Sequence, residues 1–178
     1  ELEEVLLVSS VAGQLSRATL ARARPFRAPH HSISRGGLIG GGRPVTPGEI
    51  SLAHRGVLFL DELPEFSTNV LQSLRQPMED GVVRLVRVDG TYRFPCEFQL
   101  IAASNPCPCG YLGDPSHGCS CSPVRIQCYQ SRIGGPLMDR IDIHVGVQRP
   151  QSDLVIEGAA GMDSKTMRAL VRGARELR

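Results

Sequence analysis

The chain has 178 residues, 41% of them hydrophobic and 4% aromatic with no tryptophan, and a formal charge of +2 at pH 7. Length and apolar content fit one globular domain of ordinary size with an aliphatic core and at most a small appendage. The near-neutral balance gives no global argument for nucleic acid, no apolar run approaches the ~18 residues of a membrane span, and no signal peptide is visible.

Residues 2–24 read as helical. Leu2, Val5, Leu6 and Val8 fall at helical spacing, and Glu3 and Glu4 sit near the start, where carboxylates suit the helix dipole. Gly13 divides off a second piece in which Leu15, Leu20 and Ala21 alternate with Arg17, Arg22 and Arg24, a solvated basic face. Pro25 to His31 is short, extended and bounded by prolines, as expected of an edge or exposed strand. Adjacent side chains on a strand point to opposite faces, so His30 and His31 are poorly placed to share a metal. Residues 32–48 are glycine-rich but lack the Gly-Lys-Ser/Thr ending with which a P-loop holds phosphate and magnesium. A surface loop that moves or touches a partner is expected there. A short helix over 47–54 follows, with Pro47 near its start and Ile50, Leu52 and Ala53 as apolar contacts.

Gly56 to Glu62 reads as a strand, Val57 to Leu60, buried on both faces as in a parallel α/β sheet, and ending in Asp61-Glu62. Open α/β sheets place ligands at that edge. In P-loop nucleotide hydrolases such an Asp holds magnesium and a following carboxylate can orient the attacking water. The alternative is a strand that simply ends at solvent.

Pro64 to Asp80 is the clearest helix, with Phe66, Val70, Leu71, Leu74 and Met78 on one stripe, Ser67 or Thr68 as cap, Pro77 kinking the last turn and Gly81 closing it. Val82 to Val88 and Thr91 to Phe94, joined through Asp89-Gly90, predict a hairpin. Arg84, Arg87 and Arg93 make it basic, either as solvated strand edges or as a nucleic-acid contact. Phe98 to Ala103 reads as a second buried strand ending at Ser104-Asn105, the same sheet edge as Asp61-Glu62. A helix is expected over about 123–135, a further strand over Ile141 to Val147, and a linker over 148–163. Ser164 would cap a final amphipathic helix with Met167, Leu170, Val171, Ala174 and Leu177 on its stripe, implying a further small helical unit.

Five of the six cysteines crowd between Cys107 and Cys128, which suits a metal site in a cytoplasmic protein better than a secreted disulfide framework. Cys107-x-Cys109 and Cys119-x-Cys121 are two pairs that could surround a tetrahedral Zn²⁺ in a structural site. The one-residue gaps are tighter than usual, His117 and Cys128 are substitute ligands, and free reduced thiols are the alternative.

Arg24 to Ser32, Pro47 to His54, Gly56 to Phe66 and Gly135 to Asp142 together resemble the AAA+ ATPases related to the magnesium-chelatase I subunit, and among them the ComM/YifB branch. The resemblance runs from about residue 10 to 147. It implies an α/β fold, an AAA+ P-loop NTPase-type parallel sheet core with a β-hairpin insertion and a cysteine-rich loop over 1–150, then a linker and the first helix of a helical lid over 151–178. It implies ATP and Mg²⁺ as cofactors, with Asp61 holding Mg²⁺, Glu62 polarising the water, Asn105 as sensor 1 and Arg140 as an arginine finger given to the next subunit. An arginine finger contributes about 10³–10⁵ in rate, and one acting in trans implies a self-assembled ring, expected to be a hexamer. The branch's link to natural transformation implies DNA as substrate, through branch migration or recombination. The implied Walker A motif would lie upstream of Glu1, so a processed or excised chain that is inactive alone is expected. Two alternatives remain at this point: an I-subunit motor driving metal insertion into porphyrin, and a non-catalytic zinc-ribbon nucleic-acid module, which leaves Asp61, Glu62, Asn105 and Arg140 without a role.

Overall fold

Four apolar residues in a row, Val57–Leu60, form β4, the middle strand of a parallel three-stranded sheet. The computed structural model describes residues 1–17, 23–147 and 161–176. On one side β4 pairs with β1 (Phe26–Arg27), Phe26 opposite Val57; on the other with β7 (Gln99–Ala102), Val57 opposite Gln99 and Leu60 opposite Ala102. Side chains alternate across a strand, and here only one face is closed. Leu58 and Leu60 are fully buried, whereas Val57 and Phe59 keep solvent contact and Ile101 is 43% exposed. The expectation of burial on both faces is corrected accordingly, for β7 as for β4: β7 is an edge strand among the described residues, and Phe59 is shielded in part by the Phe26 ring, 6.2 Å away.

The closed face packs on short helices. Helix α1 (Leu2–Val11) buries Val5 and Val8. The glycine-rich stretch is more ordered than a surface loop. Ser34 caps α2 (Arg35–Ile39) by accepting the Gly37 N–H at 3.0 Å, Leu38 and Ile39 enter the core, and β2 (Gly40–Gly41) pairs antiparallel with β3 (Thr46–Pro47). A Cβ at Gly48 would overlap the backbone of Leu38 and Gly40, so this turn closes only around glycine. Helix α3 (Glu49–Leu52) buries Ile50 and Leu52 and is tied to β1 by a two-bond Arg27–Glu49 pair at 2.5 and 2.6 Å.

The helix expected over 64–80 is three pieces. A 3-10 turn spans Leu63–Glu65, α4 runs over Thr68–Ser73 behind a Ser67 cap, and α5 over Arg75–Asp80 ends at Gly81 in the left-handed region. Pro77 has no N–H to offer back across Leu74, which fits a break at that residue. Strands β5 (Val82–Arg87) and β6 (Gly90–Pro95) form the hairpin, with Arg87 opposite Gly90, so the turn is Val88-Asp89, one residue earlier than the sequence suggests. Tyr92 reaches back to Asp89 at 2.9 Å and holds that turn.

After β7, Ser122 caps α6 (Pro123–Ser131), which α7 (Gly135–Met138) follows. Ile141 to Val147 is not a strand: it has no ladder partner among the described residues, and Ile143, Val145 and Val147 are largely exposed. Alternation marks a strand only where a sheet offers it an edge. The second N-terminal helical piece, expected from Gly13 to Arg24, is described only in part: residues 14–16 and 23–24 lie in no helix, while 18–22, like most of the expected linker at 148–160, lie outside the described residues.

The chain divides into two compact units, Glu1–His144 and Val145–Arg178. In the second, α8 (Ser164–Glu176) starts one residue earlier in its capping than expected, since Asp163 rather than Ser164 accepts the Thr166 N–H at 2.7 Å. Its Met167, Leu170 and Val171 are at least half exposed, and Leu177 lies outside the described residues. No described helix is long and apolar enough to cross a membrane. The first unit is an α/β fold with a parallel three-stranded sheet, and it carries the cysteine cluster after the third strand.

Candidate functional site at the carboxyl edge of the sheet

Because β1, β4 and β7 are parallel, the residues that follow each strand emerge at one edge. Those residues are His30-His31, Asp61-Glu62 and Ser104-Asn105. The edge is stitched by backbone bonds: Ala103 N–H donates to Leu60, and Leu63 N–H to Ala103, both at 2.9 Å.

Asp61 and Glu62 are exposed. Asp61 Oδ1 accepts the Glu62 N–H at 2.9 Å, and Oδ2 has no partner among the described residues. An exposed carboxylate with one oxygen anchored and the other free is a suitable monodentate ligand for a hard cation such as Mg²⁺. Glu62 lies in the left-handed region, φ 52° and ψ 48°, although it is not a glycine. Its carboxylate lies 3.2 Å from His31 Nδ1, and His31 in turn packs its ring edge-on to Phe66 at 6.3 Å and against His30 at 4.0 Å. The sequence reading missed His31. No spacing rule joins it to Glu62; only the pairing of β1 with β4 does.

Asn105 follows β7 at the same edge and is exposed; Ser104 Oγ donates to its carbonyl at 3.0 Å. Arg140, just beyond α7, is not brought to these residues. Its guanidinium pairs with Glu79 of α5 and donates to the Pro136 carbonyl at 2.6 Å, and its Nε is buried without a partner among the described residues. The hairpin arginines are split. Arg84 and Arg93 lie directly opposite one another on one face, while Arg87 falls on the face of Val83 and Leu85.

The cysteine cluster stands at the root of the Asn105 loop. The sulfurs of Cys107, Cys109, Cys119 and Cys121 all lie within 4.8 Å of one another, and all six cysteines of the chain are free. Such a set can hold a metal ion. Backbone N–H groups of Tyr111 and Ser120 hold the Cys109 thiol down at about 6. His117 is outside the set: its Nδ1 faces the Ser116 hydroxyl at 3.0 Å, and its ring stacks on Tyr111 at 5.0 Å. Cys128 is exposed on α6, and Cys96 is buried behind the hairpin, its thiol pushed up to about 12 by burial and by Asp80 and Glu97.

Helix α6 joins the cluster to the Glu62 turn. Gln130 donates to the Pro106 carbonyl at 3.0 Å, and Arg132 donates to the Pro64 carbonyl at 3.3 Å and meets Glu65 at 3.5 Å. Between them Tyr129 is buried, and burial together with the carboxylates of Glu65 and Glu62 pushes its hydroxyl up. At the amino end of β4, buried His54 accepts the Glu97 N–H at Nδ1, 3.1 Å, and faces Glu4 with Nε2 at 3.4 Å; burial keeps it below its usual range.

The profile of the family described as magnesium chelatase, subunit ChlI, matches residues 1–155. Competence protein ComM of Haemophilus influenzae is 48% identical over 158 residues, covering 88% of this chain and 30% of that protein. An uncharacterized protein of Mycobacterium tuberculosis is 45% identical over 175 residues, 97% of this chain and 34% of its own length. YifB of Escherichia coli, also uncharacterized, is 44% identical over 157 residues, 87% and 30% of the two chains. The chain thus spans about a third of the length of these relatives.

Proposed function

Since the chain belongs to the magnesium-chelatase ChlI family of AAA+ proteins, we propose that it is part of a ring-forming ATPase motor that acts on DNA. The observation that carries this reading is the shared edge: β4 and β7 run parallel and deliver Asp61-Glu62 and Asn105 together, with Glu62 held in a conformation that the surrounding turn imposes. Functional residues are where such strained backbones concentrate. DNA enters the proposal through the similarity to a competence protein.

ATP supplies the phosphoryl group, and Mg²⁺ neutralises charge on it. In this reading Asp61 would hold the Mg²⁺. Glu62 orients and polarises the attacking water, and Asn105 positions that water from the neighbouring strand end. His31, in contact with Glu62, fixes the carboxylate while no water is there to take it. Arg140 serves the next subunit's nucleotide, and to do so it must leave Glu79. A finger given in trans requires a closed head-to-tail ring, proposed to be a hexamer. Arg84 and Arg93, side by side on the exposed hairpin face, are the proposed DNA contacts, and Arg87 reaches from the other face. A further ion, Zn²⁺, is proposed at the four cysteines.

The test is the ATPase rate of the full-length protein with and without single-stranded and branched DNA. Stimulation by DNA is expected, together with a loss of at least about 10²-fold in Glu62→Gln, the lower end of what a positioned base contributes. Arg140→Ala is expected to lose about 10³-fold or more, with nucleotide binding retained in both variants. Turnover that ignores DNA would move the reading to the chelatase type. Unchanged turnover in Glu62→Gln would remove Glu62 from its role.

A further inference from the structure

The two Cys-x-Cys turns face each other as a pair of knuckles. Cys107 Sγ lies 3.4 Å from Cys109 Sγ and 3.7 Å from Cys119 Sγ, and Cys109 Sγ lies 3.6 Å from Cys119 Sγ. A tetrahedral ion with metal–sulfur bonds of about 2.3 Å holds its sulfurs about 3.8 Å apart. A disulfide would need about 2.05 Å. The observed separations match the first case and exclude the second.

The turns also support each other's sulfurs. Ser120 N–H donates to the Cys109 sulfur, and Cys109 N–H donates to the Cys121 sulfur, so each knuckle supplies a donor to the other. Ligands in built metal sites are oriented by such outer hydrogen bonds. The loop between the pairs is ordered as well: Asp114 Oδ1 accepts from Ser116 N–H at 2.7 Å, Ser116 Oγ at 2.6 Å and His117 N–H at 3.2 Å. Four sulfurs within 4.8 Å of one another suit a single ion of the kind that takes four thiolates, zinc or iron. A cluster of several irons sits between its thiolates and would spread them beyond the 4.8 Å seen here. With neutral ligands absent and all four positions filled by sulfur, the site is closed to substrate, as structural zinc sites are.

We propose that Cys107, Cys109, Cys119 and Cys121 hold one Zn²⁺, and that this ion braces the proposed catalytic edge by fixing the Asn105 loop against the C-terminal end of α6. Cys107 is fully buried and follows Pro106, whose carbonyl takes the Gln130 bond. Two residues later, at the C-cap of α6, Arg132 donates to the Pro64 carbonyl, at the turn that carries Glu62. The ion, α6 and Pro64 therefore form a continuous tie from the Asn105 loop to the Glu62 turn. The zinc assignment is independent of the nucleotide chemistry, and its test does not read activity.

Metal analysis of the full-length protein, purified without added metal, is expected to give one zinc for each copy of this cysteine set. X-ray absorption at the zinc edge should show four sulfurs at about 2.3 Å. Cys109→Ser with Cys119→Ser should abolish this zinc, and Cys128→Ser should keep it. Iron in its place, no metal, or a shell containing nitrogen would overturn the site or its ligand set. For the brace, removal of zinc by a chelator from the wild-type protein should speed hydrogen exchange at residues 105–109 and also at 62–66, with β1 unchanged. Exchange that rises only within 105–121 would leave the ion a local staple and overturn the brace. Because these readings use the wild-type protein, they stand even if the double variant fails to fold.

Discussion

Glu62 carries a backbone cost that its proposed role makes intelligible. A left-handed backbone disfavours a residue with a Cβ by roughly 1–2 kcal/mol, and Glu62 adopts it with φ 52°. The neighbours that impose it are the Leu63 bond to Ala103 and the Glu65 bond back to Glu62, at 2.9 and 2.8 Å. Glu62→Gly removes the clash but loosens the unfolded chain by about 0.4–1 kcal/mol. Urea unfolding should therefore show Glu62→Gly more stable by about 0.5–1 kcal/mol, with Glu62→Gln unchanged. A glycine variant no more stable than the wild type would show that the turn stores no strain. The position of Asp61 and Glu62 at the sheet edge was legible in the sequence, since two carboxylates at the end of an apolar run mark where a strand stops. His31 was not. Its partner is distant along the chain, and nothing short of the parallel β1–β4 pairing puts it 3.2 Å from Glu62. Arg140 enters the proposal by resemblance alone, and its bond to Glu79 depends on how α5 lies beside α7.

Among the elements, those set by local chemistry could be read and those set by neighbours could not. Ser67 and Ser122 accept from the N–H groups three residues on, as caps do, and Gly81 ends its helix in the left-handed region. Pro77 predicted a disturbance, and the helix is in fact divided at Leu74. The segment 141–147 alternates like a strand and is none, because strands need partners and alternation records only which face is apolar. In the glycine-rich stretch, Gly40 and Gly48 let backbone segments approach closely, which composition alone did not show. Gly56 shows the same principle more sharply. It stands where β1 and β4 begin to pair, Val57 N–H donating to Pro25 at 2.9 Å, and a Cβ there would overlap the Pro25 backbone. Gly56→Ala must push β1 away from the sheet. A loss of about 2 kcal/mol or more is expected, at the upper end of ordinary point substitutions, together with faster exchange of the Val57 amide. Wild-type protection of that amide would mean the strand ends give way freely.

In the molecule as a whole, a small parallel sheet gathers strand ends at one edge and α6 runs from that edge to the cysteine knuckles. The knuckle pairs were legible as a metal candidate from Cys-x-Cys spacing. Which four sulfurs converge was not, since His117 and Cys128 lie equally close in sequence, and only the turn geometry sets them apart. That sorting leaves the thiols of this chain chemically unequal. Cys96 is buried, with its sulfur 3.6 Å from the Pro77 carbonyl, and four more are committed to one another, whereas Cys128 stands exposed on α6. Of these six, a maleimide offered to the native protein should take Cys128 alone, and mass spectrometry should count one adduct here, rising to six on unfolding in chelator; fast labelling of a second would show the knuckles open. A fluorophore placed there would ride on the helix whose C-terminal end ties to Pro64 and Pro106, and would report from a single point whether that edge of the sheet shifts when ATP is added to the full-length protein.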